Sequence, residues 1–304
     1  YQFQSSLHWY RHVSRVLRDG KRKNKETQST GKAEGMKKDP VIYTKASLTE
    51  KLKEIAAMDW IPNARHGNHG GVGNTLEDLL EIKENNLPIP NAAEWELKTQ
   101  RVNARSKSGS LCTLFHVEPS PRALGFVPKI LLQKYGWPHK EAGKKYSKNE
   151  MSFRQTIHGR SRSDRGFKVV VDRKEQKVLI SFDPKAVSVK HKIWLKSVKK
   201  RVGLHELDPQ PYWGFDDLRH KAGTKLLNSF YVTAEVQKKR GKEYYKFSKV
   251  LMLKKFSFEN FLIAFEQGKV FVDFDARTGH NHGTKFRTTS THLPTLYAEV
   301  KKII

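Results

Sequence analysis

The segment Glu94-Trp95-Glu96-Leu97-Lys98 sets two carboxylates and an ammonium group at every second position. In an extended strand alternate side chains share a face, so Glu94, Glu96 and Lys98 stand on one side and Trp95 and Leu97 on the other. The apolar side can enter a core. The charged side carries what phosphodiester hydrolysis needs. Carboxylate oxygens suit Mg2+, a hard cation. Bound metal polarises a scissile phosphate and lowers the pKa of an attacking water. A lysine orients that water or stabilises the growing negative charge. The same alternation describes any amphipathic strand, so the triplet alone leaves both readings open. Glu77, on a short helix just upstream, is a further candidate ligand and equally an ordinary first-turn acid favoured by the helix dipole.

These acids sit in an unusual place. The chain has 304 residues and a net charge of +27, from 58 Lys/Arg against 31 Asp/Glu. A field of that size attracts polyanions, because each phosphate contact releases condensed counterions. Nucleic acid is the first partner it suggests and an anionic membrane surface the second. Only residues 46–100 run the other way, with nine acids against five Lys/Arg. Carboxylates gathered inside a cationic protein suit a cation site facing a phosphate-binding surface. Cys112 is the single cysteine, which excludes a disulfide framework and a thiolate zinc site. That fits a reducing interior. No apolar run approaches the ~20 residues of a membrane span, and no signal-peptide pattern opens the chain. The expectation is a cytoplasmic protein of prokaryotic type. The chain starts at Tyr1, which leaves upstream residues open.

The surrounding elements read as follows. Residues 1–46 form a basic helix, LHWYRHVSRVLRDG, and a Lys-rich flexible linker. Ser47 to Glu50 is a capping box opening a helix to about Met58. A Gly-rich loop, RHGNHGGVGNT, leads to a helix, LEDLLEIKE, capped by Asn74 or Thr75. EWELKTQR is a strand, with LCTLFHVE at 111–118 as its neighbour. The second half is β-rich. It has a hairpin around Lys174-Glu175-Gln176, a longer one turning at Arg240-Gly241, a helix from Ser257 to Gly268, and a strand KVFVDFDAR followed by a loop HNHGTKFR. RQTIHGRSRSDRG at 154–166 reads as a phosphate-contacting loop or a plain surface loop. Trp60, Trp194 and Trp213 read as core. The Gly-rich loop lacks the Lys-Ser/Thr of a P-loop, so no nucleotide cofactor is expected.

The stretch GNHGGVGNTLEDLLEIKENNLPIPNAAEWELKTQR resembles the catalytic core of the MvaI/BcnI restriction endonucleases, relatives of the repair nickase MutH within the PD-(D/E)xK nucleases. The matching pieces are Gly-x-Gly-Asn-Thr-Leu-Glu, the Leu-Leu pair, Glu-Asn-Asn and Glu-Leu-Lys-Thr. Further matches are SLCTLFHVEPSPR and DFDARTGHNHGTKFR. Together they extend over roughly residues 47–300. An ExK triplet is a weak signal; these pieces in this order are a strong one.

The resemblance implies an α/β PD-(D/E)xK fold of the MutH-like type, a mixed sheet flanked by helices with two lobes around a DNA cleft. The expected division is 1–46 as the basic arm, 47–165 as the catalytic lobe and 166–304 as the recognition lobe. Carried over by position, Glu96 is a metal-binding acid, Lys98 the motif lysine and Glu77 the helix acid. The motif's first acid usually follows a proline shortly before ExK, and here Pro90 is followed by Asn91. Asparagine is neutral and binds Mg2+ less well. Three accounts stand: Glu94 takes over the ligand role, the protein is a drifted inactive relative, or Asn91 is a substitution made to trap a complex.

The late segment would read the DNA. Arginine reads guanine, Asn or Gln adenine, and acids cytosine. The resemblance implies Asp275 and Arg277 as base readers, with His280, His282, Lys285 and Arg287 beside them. His66, His69 and Arg101 are further DNA-contact candidates. The rivals are a half zinc site at His280 and His282 and a salt bridge between Arg277 and Asp275. The function implied is a type II restriction endonuclease that cuts duplex DNA at a CCWGG- or CCSGG-like site. It would be a monomer nicking the strands in turn, with Mg2+ as cofactor, Mn2+ able to substitute, and a cognate methyltransferase as partner. A MutH-like nickase, an inactive DNA-binding relative and a ribosome-associated basic protein are the alternatives.

Overall fold

Helix α1 (Lys45–Ala57) begins one turn earlier than the sequence suggests. Thr44, not Ser47, is the N-cap: its side chain accepts from the Ser47 backbone N–H, and the Ser47 hydroxyl returns the bond to Thr44. Ser47 thus fills the third helical position, where a hydroxyl can do what Glu does in the usual box. Leu48, Leu52 and Ile55, spaced four and three apart, bury the inner stripe. The computed structural model describes residues 43–63, 71–82, 95–102 and 111–304. The expected N-terminal helix and linker, and His66, His69, Asn91 and Glu94, lie outside the described residues.

Strand β1 (Ile61–Pro62) precedes α2 (Gly71–Leu79). This helix also starts before the expected cap. Thr75 lies inside it, buried, with its hydroxyl donating to the Gly71 carbonyl at 2.7 Å. Gly71 has a packing reason: a Cβ there would lie 2.6 Å from the Tyr245 hydroxyl. Strand β2 (Glu96–Val102) follows, then β3 (Leu111–His116). A wide helical turn (Phe126–Leu131) runs on as α3 (Leu132–Tyr135), and β4 (Trp137–Pro138) leads to β5 (Met151–His158). Residues 154–158 are therefore strand rather than loop.

Strands β6 (Arg165–Asp172) and β7 (Lys177–Val187) form the expected first hairpin. Next come α4 (Lys192–Val202), β8 (Tyr212–Gly214) and α5 (Phe215–Leu226). Strands β9 (Asn228–Lys239) and β10 (Lys242–Phe256) make the long hairpin around Arg240-Gly241, both at positive φ. Ser257 caps α6 (Phe258–Glu266), accepting from the Asn260 N–H. Strands β11 (Val270–Arg277), β12 (His280–Thr289) and β13 (Tyr297–Lys302) close the chain. HNHGTKFR is thus a strand paired with β11, not a loop.

Among the described residues the strands form three sheets. The first has the order β1-β10-β9-β2 with β13 also on β10; it is mixed, because β2 runs parallel to β9 while the other pairs are antiparallel. The second is β3-β12-β11-β5-β4 and the third β6-β7-β8. The expected pairing of β3 with β2 is therefore corrected: β3 pairs with β12. The first sheet draws β2 from early in the chain and β9, β10 and β13 from late in it. Its one face packs Phe230, Val232, Ala234 and Trp95 against α1 and α2. From the other face Tyr231, Leu251 and Leu253 join the core shared with the second and third sheets. One mixed sheet and two antiparallel ones, flanked by helices, give the α/β architecture that the sequence leads one to expect.

Candidate active site and nucleic-acid interface

Strand β2 lies beside β9 with Glu96 opposite Ser229, Leu97 opposite Phe230 and Lys98 opposite Tyr231. Register therefore sorts the side chains. Trp95 and Leu97 go with Phe230 to the α1/α2 side, where the Trp95 and Phe230 rings sit 4.8 Å apart. Gly73 of α2 comes close enough that a Cβ would lie 3.3 Å from the Thr99 hydroxyl. Glu96 and Lys98 point the opposite way. Both are 8% exposed, so the charged face of this strand is covered and not open.

Three groups cover it. The Lys98 ammonium donates to the Leu114 carbonyl of β3 at 3.2 Å and lies 3.5 Å from Glu96 Oε1. Lys225, at the end of α5, places its ammonium 3.8 Å from Glu96 Oε2. Below, Ser229 and Tyr297 share a hydrogen bond of 3.1 Å. Burial pushes the Tyr297 phenol well up, as does the nearby Glu96 charge. Burial likewise raises the Cys112 thiol, against the pull of Lys98 and Arg287. Cys112 is thus an inert core residue.

Glu96 Oε2 is buried and has no hydrogen-bond donor among the described residues. At 3.8 Å the Lys225 contact is too long for a hydrogen bond and supplies charge alone. A buried oxygen left without a donor is costly, and a carboxylate oxygen in that state fits a divalent cation. Among the described residues Glu96 is the carboxylate whose surroundings fit such an ion. Among them no three His, Cys, Asp or Glu gather as a metal cluster. Glu77 lies on α2, which packs against the Trp95 side of β2. Arg101 also faces that side; it is tied to Glu243 at 2.7 Å and lies over the Tyr245 ring. Desolvation raises the Glu243 carboxyl, but the hydrogen bonds from Arg101 and Tyr245 outweigh it and the net shift is downward.

The second constellation is on the outward face of β11, where Asp273, Asp275 and Arg277 alternate with buried Val272, Phe274 and Ala276. Asp275 meets Arg154 of β5 at 2.8 Å and Lys285 of β12 at 3.9 Å. Asp273 accepts from Arg287 at 2.9 Å and from Thr156 at 2.8 Å. Arg277 and Asp275 share this face, yet Arg277 pairs with Glu150 at 3.0 Å and lies over the Tyr146 ring. The rival reading of an Arg277–Asp275 bridge is not what forms: Arg277 pairs with Glu150, and Asp275 with Arg154 and Lys285. His280 and His282 are exposed at the hairpin end with ring centroids 4.2 Å apart. His116, an exposed residue opposite Lys285 on β12, is held below its ordinary pKa by partial desolvation of its ring and then by Lys285.

Sequence reading missed Lys225, Ser229, Tyr297 and Glu150. Arg154 was visible only as one of four arginines in a polar run. None of these carries a local signal, since each is brought in by α5 or by the β2–β9, β10–β13 or β5–β11 pairing. Of the three tryptophans read as core, Trp194 and Trp213 are buried and Trp60 is half-buried.

The MvaI/BcnI restriction endonuclease family matches residues 49–297 of this chain. The solved complex of the restriction endonuclease MvaI with its cognate DNA substrate is similar, with a TM-score of 0.65 and 26% identity, over 84% of this chain and 97% of that one. MvaI in the absence of DNA gives 25% identity and a TM-score of 0.48, over 84% of this chain and 96% of that one. The comparison with curated proteins gave no match.

Proposed function

Because this chain belongs to the MvaI/BcnI restriction endonuclease family and is therefore a DNA-cleaving nuclease, we propose a specific activity for it. It hydrolyses duplex DNA in a Mg2+-dependent reaction at a short C/G-rich site of the CCWGG or CCSGG type. The observation that carries this reading is the buried Glu96–Lys98 pair, with Glu96 Oε2 left without a donor. Glu96 would hold the ion, with Glu94 and Glu77 as further ligands and Asn91 in the place of the usual first acid. A bound Mg2+ supplies a polarised phosphate and a water of lowered pKa. Lys98, fixed by the Leu114 carbonyl, orients the attacking water and offsets charge on the phosphoryl oxygens. Hydrolysis leaves 5′-phosphate ends.

Specificity is assigned to the β11–β12 face. Asp275 and Arg277 read base edges in the major groove, and Lys285, Arg287, His280 and His282 support them. His66, His69 and Arg101 are further contacts to the duplex. MvaI has been solved with its cognate DNA, which supports duplex DNA as the partner here. The chain acts as a monomer that nicks one strand and then the other. A restriction enzyme of this kind needs a methyltransferase that protects the same site. No helix among the described residues is long and apolar enough to cross a membrane. The test is digestion of supercoiled and linear phage DNA in Mg2+ and in EDTA. Discrete, Mg2+-dependent fragments sharing one C/G-rich end sequence are expected. Intact DNA from a folded protein that still shifts it on a gel would overturn this reading.

A further inference from the structure

Arg277 ends β11, opposite Ser152 of β5, and two side chains from the loop before β5 meet its guanidinium. Glu150 accepts from Nη1 at 3.0 Å, and the guanidinium lies over the Tyr146 ring, 4.6 Å from its centre. The loop itself sets both groups in place. The Glu150 backbone N–H donates to the Ser147 carbonyl, and its carbonyl accepts from the His139 N–H. The Tyr146 N–H donates to the Glu141 carbonyl, and its ring packs edge-on against His139 at 4.9 Å. The Glu150 side chain is 7% exposed and that of Arg277 31%, so a buried carboxylate backs a partly exposed arginine. Both hydrogen bonds that Arg277 makes among the described residues leave from Nη1, to Glu150 and to the Thr278 carbonyl. We propose that Glu150 and Tyr146 are positioning residues for sequence recognition. They fix the Arg277 guanidinium so that its Nη2 and Nε edge is presented to one guanine.

Guanine shows two acceptors, O6 and N7, in the major groove, and the planar fork of arginine matches both at once. Two parallel bonds form only when the plane and the rotation of the guanidinium are both right. Glu150 fixes the rotation by holding one nitrogen, and Tyr146 fixes the plane through its ring face. An arginine held in advance has already lost the side-chain freedom that binding would otherwise take from it. More of the contact energy then goes into choosing the base. The pair persists on DNA, because a departing Arg277 would leave a buried carboxylate without its charged partner.

The proposal rests on the reading of Arg277 as a base reader, so the test separates the two. Randomised duplexes are selected by binding to the full chain, with Ca2+ in place of Mg2+, and the bound fraction is sequenced. The wild type is compared with Arg277→Gln, Glu150→Gln, Tyr146→Leu, Tyr146→Phe and the double variant Glu150→Gln/Arg277→Gln, with folding checked by circular dichroism. Arg277→Gln should lose the preference for guanine at one base pair. Glu150→Gln and Tyr146→Leu should each weaken the preference at that same pair about tenfold and leave the others as they are. Tyr146→Phe, which keeps the ring, should match the wild type. The double variant should lose no more than Arg277→Gln alone, because Glu150 acts through Arg277. Wild-type preferences in both Glu150→Gln and Tyr146→Leu, while Arg277→Gln loses its pair, would overturn the positioning role alone. A loss spread evenly over all base pairs, or a further loss in the double variant, would do the same and make the contacts structural. An Arg277→Gln variant that keeps every preference, or a wild type that shows none, would remove the base reader and the proposal with it.

Discussion

Two groups of acids and bases on neighbouring sheets differ in how they are satisfied. On β2, Glu96 and Lys98 are almost fully covered, their mutual contact is a long 3.5 Å, and one carboxylate oxygen has no donor. On β11, Asp273, Asp275 and Arg277 are partly exposed, and each has a close oppositely charged partner. Charges paired in this way cost less at rest than a carboxylate oxygen without a donor. The more exposed among them can exchange a partner for a base edge at small cost. A covered, incompletely satisfied carboxylate is costly and persists only where surrounding structure holds it. Under the proposed function this difference becomes a division of labour: one site for a cation, the other for exchangeable contacts.

The largest effect should follow from Lys98→Met. Cleavage should fall on the order of a thousandfold, while gel-shift affinity for the same duplex stays near that of the wild type. A comparable loss of binding would erase the division. Next is Trp95→Ala, on the apolar side of the same strand. Removing this ring from Phe230 should cost about 3–5 kcal/mol in urea unfolding. A near-neutral result would mean that β2 is not anchored through that side.

Arg277→Gln should leave the fold intact and weaken discrimination between cognate and altered duplexes by about 1–3 kcal/mol. Equal loss on all sequences would make Arg277 a phosphate contact. The smallest effect concerns His116. Partial desolvation of its ring and Lys285 lower its pKa in the folded state, so the unfolded chain takes up a proton first as pH falls. Stability from this group is present above the ordinary histidine pKa of about 6.5 and declines below it, until the folded form also protonates. His116→Gln should flatten the acid side of the stability profile between about pH 7 and 5. An unchanged profile would mean that other groups set it.

What the sequence disclosed was local. The alternation in EWELK sorts Glu96 and Lys98 from Trp95 and Leu97 with no partner strand in view, because strand period is a property of the strand itself. The turn at Arg240-Gly241 was legible for the same reason. Partner choice was not. LCTLFHVE has the composition to sit beside β2, yet β12 takes it, and HNHGTKFR extends as a strand because β11 and β3 give it ladders on both sides. Helix starts shifted because Thr44 and Gly71 are favoured by contacts remote in sequence or by a hydroxyl standing in for Glu. Lys225 was invisible, since only the docking of α5 brings it to Glu96.

The most direct test is single-turnover cleavage of one cognate duplex in Mg2+ by Glu96→Gln, with its affinity for that duplex measured in parallel. The amide keeps the shape of the carboxylate and removes its charge. The account predicts affinity close to the wild type and cleavage reduced at least about a thousandfold. Cleavage at a near-wild-type rate would contradict it and would take the chemistry away from β2.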